Sequence, residues 1–462
     1  MEVLLNQCPI RYHAMHTPTN IAIQSEQQAF TYQQLDLALN HLTKQLFDKG
    51  LQKGDRLVCI APNSIKLVLL QLSCMRTGII FCPINARFSQ HEIEIRLTVL
   101  NSQFIWHEQC HCILPTKSLA LDFIATETEQ LSKALLPIDS QRVINIIFTS
   151  GSSGKPKAVM HNMRNHFYSA IGSQKLIPLI EGDRNLLSLP LYHISGYAAV
   201  FRTMLAGASL VFTEQSLTTN LLQTYSITHL SLVVTQLYRL LEDPQFNQRN
   251  LDIKHLLLGG SAFAESLLNQ TSQRGLHYHL SYGLTEMSSQ VATSCDSQTL
   301  LILPDRDVKI VDGEILLRGK TRFVGYFNHQ QPNHFIPAEQ WLASKDIGIK
   351  VGNQLKIMGR KDRQFVCAGE NIQPEEIEAR LITLDNIKQA YIVPIADPLL
   401  GHRPIAFIDW KNTPLSDEQI NKHMRLKLSP LKCPSHYFPL PSQSSLKVSL
   451  SALAKQAKIL VN

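Results

Sequence analysis

The sequence lacks a long apolar segment. Across its 462 residues, no uninterrupted hydrophobic run reaches the roughly 18 residues that a membrane-spanning helix needs. The first residues, MEVLLNQCPIRYHAMHTP, lack the basic start, apolar stretch and small-residue cleavage site of a secretory signal. The sequence therefore predicts a cytoplasmic protein without a membrane span.

Charge of one sign is not concentrated anywhere along the chain. The formal net charge of +7 is modest for this length, and the lysines and arginines are scattered rather than gathered into a run or stripe. This distribution argues against a nucleic-acid partner. A mildly basic balance suits anionic small molecules, although it affects their encounter with the protein rather than the chemistry.

The cysteines form no recognisable framework. There are nine, an odd number, and they are spread along the chain as reduced thiols of a cytosolic protein would be. One dense group of potential soft-metal ligands consists of His107, Cys110, His111 and Cys112. Its spacing matches no zinc pattern, so we assign no metal site to it.

Apolar runs and periodic segments alternate from Phe30 onward. The segment FTYQQLDLALNHLTKQLF predicts a helix, RLVCIAP a buried strand and IKLVLLQLSCMRTG another helix. Short Ile-, Leu- and Val-rich runs follow in RVINIIF, NLLSLP, ASLVF, HLSLVV and HLLLGG. This alternation indicates an α/β protein with layered mixed sheets and helices, and the length favours more than one domain.

The pattern changes after the segment VGNQLKIMGRKDRQFV. A glycine turn, a helix, two strands and a further helix follow, which predicts a small α+β domain. Pro374 suits the first position of its first helix, and Ser416 with Gln419 has the spacing of a capping box. We therefore predict a large N-terminal domain, 1–359, and a small mobile C-terminal domain, 360–462, with a hinge at 360–362.

The strongest local signal is the segment IIFTSGSSGKPKAVMHN. A buried strand leads into a loop of small residues, whose free backbone N–H groups, hydroxyls and lysines could wrap an anion. The candidate phosphate-binding residues are Thr149, Ser150, Gly151, Ser152, Ser153, Gly154, Lys155 and Lys157. Two residues rather than four separate the glycines and Pro156 follows the lysine, so this is not the nucleoside-triphosphatase P-loop. Taken alone, the loop could equally be a flexible surface turn.

The phrase TSGSSGKPK resembles the signature loop of the adenylate-forming enzymes, the superfamily of acyl-CoA synthetases, nonribosomal peptide adenylation domains and firefly luciferase. Further motifs similar to that superfamily follow in order, namely LSYGLTEMSS, SKDIG, MGRKDRQFVCAGENIQPEEIE and SSLKVSLSAL. The resemblance extends from about Phe30 to Leu453. It implies the adenylate-forming fold and an ATP-dependent ligase that makes an acyl-adenylate and then a coenzyme A thioester.

The resemblance also implies the nucleotide contacts. The loop 149–157 would close over the β and γ phosphates of ATP, Asp346 would accept hydrogen bonds from the ribose hydroxyls, and Arg360 would assist. The slot for adenine would be formed by Gly259, Gly260, Ser261, Ser281, Tyr282 and Gly283.

The catalytic positions follow from the same resemblance. Thr285 would touch the α phosphate, and Glu286 would hold Mg²⁺, a hard cation that prefers carboxylate and phosphate oxygens. Lys447 would stabilise the pentavalent transition state. Asp362 would be the hinge residue whose backbone rotation exchanges the adenylating and thioester-forming arrangements. His193 would lie where the acyl pocket meets the thiol tunnel, as a gate or as a packed ring.

Within the superfamily, several phrases resemble the o-succinylbenzoate-CoA ligases of menaquinone biosynthesis. These are LSLPLYHISGYAAVFRTMLAG, LSLVVTQLYRLL, LLLGGSAF and GHRPIAF. Their substrate carries a second carboxylate, which needs a cationic or hydrogen-bonding partner in an otherwise apolar pocket. By resemblance, Arg202 would contact this carboxylate and Ser231 would help. The alternative is an arginine paired with a structural acid.

Three other functions remain open at this stage. The protein could be another aryl- or acyl-CoA synthetase, or an acyl-AMP ligase that loads a carrier protein. A nucleotide-binding homologue without catalysis is a third, which the intact Glu286, Asp346, Arg360 and Lys447 argue against. The implied partners are the small molecules o-succinylbenzoate, ATP and coenzyme A, and a homo-oligomer is left open.

Overall fold

The computed structural model describes residues 2–123, 134–149, 156–261, 263–331, 335–441 and 448–461. The predicted phosphate-loop residues 150–155 and the predicted catalytic Lys447 lie outside the described residues. Packing divides the chain into two compact units. The first comprises Met1–Ser261, Thr271–Val308 and Leu317–Leu342, and the second comprises Ala262–Gln270, Lys309–Leu316 and Ala343–Asn462.

The α-helices of the described residues are, in chain order, α1 Pro9–His16, α2 Tyr32–Asp48, α3 Ile65–Thr77, α4 Gln90–Leu100, α5 Met163–Ser173, α6 Ile194–Ala206, α7 Thr219–Thr224, α8 Val234–Leu241, α9 Glu265–Gln273, α10 Pro374–Leu381, α11 Asp417–Arg425 and α12 Leu450–Val461. Short 3₁₀ turns lie at Glu2–Asn6, Thr285–Met287, Lys361–Arg363 and Pro430–Lys432. Among these elements, no helix is long and apolar enough to cross a membrane.

The strands are β1 Ile21–Gln24, β2 Ala29–Thr31, β3 Arg56–Ile60, β4 Ile80–Ile84, β5 Phe104–His107, β6 Val143–Thr149, β7 Lys157–Asn162, β8 Arg184–Leu186, β9 Ser209–Val211, β10 His229–Leu232, β11 His255–Gly259, β12 Tyr278–Leu284, β13 Ser289–Thr293, β14 Leu300–Ile302, β15 Arg306–Val311, β16 Glu314–Gly319, β17 Gly325–Tyr326, β18 Leu342–Val351, β19 Gln354–Arg360, β20 Phe365–Cys367, β21 Glu370–Ile372, β22 Ile387–Asp397, β23 Gly401–Trp410 and β24 Tyr437–Pro439.

Two sheets organise the first unit. In one, strands run in the order β14-β13-β12-β11-β10-β8-β9-β1-β2, and the pairs from β12 to β1 are parallel. In the other, β17-β7-β6-β4-β3-β5, the strands β4, β3 and β5 are parallel and β7 returns antiparallel to β6. Every residue of α3 except the exposed Lys66 is buried, as expected of a predominantly apolar helix. The predicted layered α/β fold is confirmed.

The second unit contains a hairpin of β18 and β19 and a small sheet ordered β21-β20-β23-β22, to which β24 adds in parallel. Helix α10 begins at Pro374 as predicted, and α11 begins with the predicted capping box of Ser416 and Gln419. Apolar residues of the small sheet pack against α10 and α11 on one side and against α12 on the other. The division into compact units does not test the hinge, so the 359/360 boundary stays a prediction.

Candidate active site

The phosphate-loop candidates begin and end on paired strands. Thr149, at the end of β6, is the antiparallel partner of Lys157, at the start of β7. The Nζ atom of Lys157 lies 4.9 Å from the centre of the Tyr326 ring, a cation–π distance. The strand pair therefore holds the two ends of the loop together and keeps one lysine beside the loop's base.

Tyr326 also contacts the predicted Mg²⁺ ligand. Its hydroxyl donates a hydrogen bond to Oε1 of Glu286 over 3.0 Å, and the Glu286 backbone oxygen accepts from the Phe323 N–H at 2.8 Å. Burial, followed by the nearby Glu286 charge, raises the pKa of Tyr326, so the hydroxyl stays protonated and can donate. One carboxylate oxygen is thus oriented by the protein. A hard oxygen donor of this kind, fixed in place, fits a magnesium ion.

The neighbouring Thr285 is held through its backbone. The Nε2–H of His161, on β7, donates to the Thr285 carbonyl at 2.7 Å, and Nδ1 of the same ring accepts from the Asn145 amide at 3.2 Å. The Asn145 oxygen in turn accepts from Nε2 of His166 at 2.7 Å. Burial lowers the pKa of His161 to about 4 and that of His166 well below its usual range, so both rings are neutral. This buried chain fixes the turn that carries Thr285 and Glu286.

The predicted adenine residues meet at the carboxyl ends of two parallel strands. Gly259 of β11 is the register partner of Ser281 of β12, so both predicted groups lie at the same edge of the sheet. In open α/β sheets this edge is where ligands usually bind. Gly260 has φ +89°, and a Cβ at Gly283 would collide with the Ser289 carbonyl oxygen. Both positions therefore require glycine for backbone reasons, independently of any nucleotide.

In the second unit, Arg360 links two predicted site residues. Asp346 and Arg360 are register partners in the hairpin, and Nη1 of Arg360 lies 3.2 Å from Oδ1 of Asp346. The same guanidinium donates to both carboxylate oxygens of Asp362, each at 2.9 Å. The hydrogen bonds from the Arg360 guanidinium lower the pKa of Asp362. The structure thus brings the predicted ribose and hinge residues into one ion-pair cluster.

A pocket in the first unit contains both predicted substrate contacts. Its cavity volume is about 20 Å³, and it is lined by Arg202 of α6, Ser231 of β10, and also Asn185, His229 and His255. The guanidinium of Arg202 makes no hydrogen bond or ion pair with any residue that the structure describes. Burial lowers the pKa of Arg202 to about 10, so it remains a cation at neutral pH. The alternative of a structural acid partner finds no support among the described side chains.

His193 is exposed and directly precedes α6. It occupies the N-cap position without a side-chain capping bond, and its ring meets Tyr192 edge-on at 4.8 Å. The other side-chain group set aside earlier, around Cys110 and Cys112, forms no cluster of three metal-ligating residues within the described ranges. No catalytic role follows from either position by geometry alone.

Comparison with known proteins decides the family. The family model of the AMP-binding enzymes matches residues 10–327, and that of the AMP-binding enzyme C-terminal domain matches residues 376–445. The chain belongs to the AMP-binding enzyme family. The superfamily that the sequence motifs predict is therefore confirmed.

Individual members of the family match nearly the whole chain. The 2-succinylbenzoate–CoA ligase of Haemophilus influenzae is 33% identical over 444 residues, 94% of each protein. A solved structure of a substituted E. coli MenE with bound OSB-AMS aligns with TM-score 0.86 and 29% identity over 98% of both chains. The Bacillus subtilis o-succinylbenzoate coenzyme A synthetase in complex with ATP and magnesium ion aligns with TM-score 0.82 and 25% identity, covering 97% of this chain and 99% of that one.

Several residues that position this AMP-binding enzyme's site escape the sequence motifs. Tyr326 supports Glu286, His161 supports Thr285, and His255 lines the pocket of Arg202. A signal was available for His161, which directly follows the phosphate loop in the strand KAVMHN. Tyr326 and His255 lie far from their partners in sequence, so only folding brings them there.

Proposed function

We propose that this enzyme activates o-succinylbenzoate for menaquinone biosynthesis. It adenylates the succinyl carboxylate with ATP, releases pyrophosphate, and transfers the acyl group to coenzyme A to give o-succinylbenzoyl-CoA. The compartment is the cytoplasm, where both co-substrates are present. The similarity to 2-succinylbenzoate–CoA ligases supports the substrate, and one feature of the pocket supports it independently.

That feature is the cation at Arg202. A guanidinium removed from bulk water is costly unless an anion pairs with it, and the described residues supply no anion. A carboxylate of the ligand would supply the missing charge and would form charge-assisted hydrogen bonds with the planar guanidinium. The benzoate carboxylate of o-succinylbenzoate is such a group, and it is distinct from the carboxylate that is activated.

The rest of the pocket suits an aromatic acid. Its walls include the apolar side chains of Ile177, Leu179 and Leu257, which can pack against a ring. Ser231 is buried on β10 and offers a hydroxyl near Arg202, directly or through water. One cationic wall and several apolar walls therefore favour a substrate that has both a ring and a second negative charge.

In the first step, an oxygen of the succinyl carboxylate attacks the α phosphorus and the bond to pyrophosphate breaks. Thr285, held by His161, contacts the α phosphate, while Lys447 offsets the charge of the pentavalent transition state. Thr149, Lys157 and the loop between them bind the leaving phosphates. Mg²⁺ at Glu286 supplies further neutralisation of phosphate charge when bound.

In the second step, the thiol of coenzyme A loses its proton and its sulfur attacks the carbonyl carbon of the acyl-adenylate. The bond between the carbonyl carbon and AMP breaks as the carbon–sulfur bond forms. Because the thiol is itself the nucleophile, no protein nucleophile is required. We assign the change between the steps to a backbone rotation at Asp362, whose carboxylate is tied to Arg360 in the arrangement seen here. His193 keeps the proposed role of a gate between the acyl pocket and the thiol path.

The test is a coupled assay with ATP, Mg²⁺ and coenzyme A that compares o-succinylbenzoate with benzoate, a coumarate and a medium-chain fatty acid. We expect turnover of o-succinylbenzoate alone, and a loss of about 100-fold or more in kcat/KM for Arg202→Ala, equivalent to about 3 kcal/mol. Arg318→Ala is the matched control, since this surface arginine pairs with Asp307. Preference for another acid would overturn the substrate. Pyrophosphate exchange without a free thioester would indicate carrier loading, and no exchange with any acid would indicate an inactive homologue.

A further inference from the structure

Three histidines form a row across adjacent parallel strands beside Arg202. His229 lies on β10, His255 on β11 and His279 on β12, with ring centres 5.2 Å and 5.0 Å apart. Nδ1 of His255 and Nε2 of His279 are 2.9 Å apart, so one of these nitrogens donates a hydrogen bond to the other. His229 and His255 line the same pocket as Arg202.

The carbonyl at the end of the row fixes where the protons lie. Nδ1 of His279 is 2.8 Å from the Ser294 carbonyl oxygen, which can only accept, so this nitrogen carries a proton. In the neutral ring, Nε2 of His279 is then the acceptor, and Nδ1 of His255 must donate to it. The remaining nitrogen of His255, Nε2, therefore carries a lone pair and no proton.

His229 is satisfied at both nitrogens. Its Nε2 donates to the Pro178 carbonyl oxygen at 2.9 Å, and its Nδ1 lies 2.8 Å from the Thr228 hydroxyl. Nε2 of His255 is the one ring nitrogen of the row that receives no hydrogen bond from the described part of the chain. Protonation of His255 would thus create a new N–H donor in the pocket wall without breaking any bond within the row.

The charges that face His255 explain why it is neutral without a ligand. Burial, followed by the neighbouring rings of His229 and His279, lowers its pKa to about 4. Asp183, which is paired with Lys254 at 2.7 Å, acts in the opposite direction, and His277 adds a smaller lowering effect. Arg202 lies across the same pocket as a further cation.

We propose that His255 is a specificity-determining residue that takes up one proton from solvent at Nε2 when the second carboxylate of the substrate binds beside Arg202. The inference rests on the proposed function, because it needs a dianionic acid in this pocket. The bound carboxylate then meets two cations, the permanent one of Arg202 and the conditional one of His255. An acid with only one carboxylate, placed for adenylation, induces no proton uptake.

The pH dependence has a definite sign. A bound anion favours the protonated ring, so the pKa of His255 is higher in the complex than the value of about 4 in the free enzyme. At a pH between the His255 pKa of the free enzyme and that of the complex, binding takes up a proton. In this range affinity rises about tenfold for each unit by which pH falls. Above the higher value, affinity no longer depends on this residue's protonation.

The experiment measures o-succinylbenzoate binding to the full-length enzyme by calorimetry from pH 5.5 to 8.5, in buffers of different ionisation enthalpy. For the unsubstituted protein we expect proton uptake that rises toward one per site as pH falls, and a matching decrease in KM. His255→Gln retains hydrogen-bonding capacity but cannot take up a proton, and we expect no uptake and a KM that is flat with pH. The change in kcat at saturating substrate should stay below about threefold.

His277→Gln is the matched control, because this exposed histidine directly precedes the neighbouring strand β12, pairs with Asp296 and lies outside the pocket lining. Because the effect of His277 on the pKa of His255 is the smallest of those present, we expect His277→Gln to retain the proton uptake of the unsubstituted protein. Turnover of o-succinylbenzoate without proton uptake, or uptake that persists in His255→Gln, would overturn the role of His255 and leave the proposed function standing. Failure of the unsubstituted protein to bind o-succinylbenzoate at all would overturn both.

Discussion

Burial lowers the pKa of two arginines of the first unit, which differ in what surrounds them. The guanidinium of Arg306 donates to the carbonyl oxygens of Gln290 at 2.9 Å, Pro304 at 2.6 Å, and Tyr168 and Ser169, each at 3.2 Å. Arg202 makes no such bond with the described residues and lines a pocket instead. Arg306 therefore ties the fold together, whereas Arg202 is available to a ligand.

The pKa values alone do not reveal this difference. Burial lowers the pKa of Arg306 to about 9 and that of Arg202 to about 10, so both look like perturbed cations. A shifted pKa marks a functional site only when the group also faces space that a ligand can occupy. The hydrogen-bond partners of the donors, rather than the size of the shift, distinguish the two roles.

The histidines repeat the contrast. His161 has partners at both nitrogens within the buried chain that supports Thr285. His255 belongs to a similar row and lines the pocket, and its Nε2 has no hydrogen-bond partner among the described residues. A ring that is hydrogen-bonded at both nitrogens, as His161 is, can hold a backbone turn, whereas a ring with an unpaired nitrogen beside a pocket can respond to a substrate.

The largest expected effect on stability is that of Arg306→Met, which removes the hydrogen bonds of the buried guanidinium. We expect the free energy of unfolding to fall by about 3 kcal/mol or more, because several buried carbonyls lose their donor. Urea unfolding followed by tryptophan fluorescence measures it. Arg318→Met, which removes a surface ion pair, should change stability by less than about 0.5 kcal/mol. Equal effects of the two substitutions would contradict the structural role of Arg306.

Acid should weaken the support that the neutral His161 ring gives to the turn at Thr285. The pKa of His161 is lowered to about 4 in the folded protein, so the unfolded chain binds the proton first as pH falls. The stability that the neutral ring provides is complete above the unfolded value and is lost progressively between that value and the folded one. At pH 5 the loss amounts to about 2 kcal/mol. Urea unfolding at pH 7.5 and 5.0 should show a smaller acid loss for His161→Gln, and an unchanged loss would disprove the assignment.

The smallest effect is expected for the stability of Arg202→Met. Replacing a buried cation that has no acidic partner by an apolar side chain of similar length should raise the free energy of unfolding by about 1 kcal/mol. The same substitution should abolish the stabilisation that added o-succinylbenzoate gives to the unsubstituted protein. Thermal unfolding with and without the acid tests both points. A loss of stability comparable to that of Arg306→Met would erase the distinction between the two arginines.

Much of the fold could be predicted from the sequence because its signals are local. The strands from Val143–Thr149 to His255–Gly259 coincide with apolar runs bounded by turn residues, and the capping boxes and Pro374 mark helix starts. The resemblance of short motifs to the adenylate-forming superfamily likewise gave Thr285, Glu286, Asp346 and Arg360 as candidates. The roles of these residues, and those of residues 150–155 and Lys447, remain predictions.

The sequence by itself determined the alternation of strands and helices, the family, and the candidate residues that lie within short motifs, since each depends on neighbours along the chain. Only the tertiary structure decided which buried cation is satisfied. In the sequence Arg202 stands in an apolar segment and Arg306 between two aspartates, yet the carbonyls that bind Arg306 come from segments about 16 to 138 residues away as well as from Pro304. The tertiary structure likewise decided the surroundings of His255. The strand order places β11 between β10 and β12, which brings His255 beside His229 and His279.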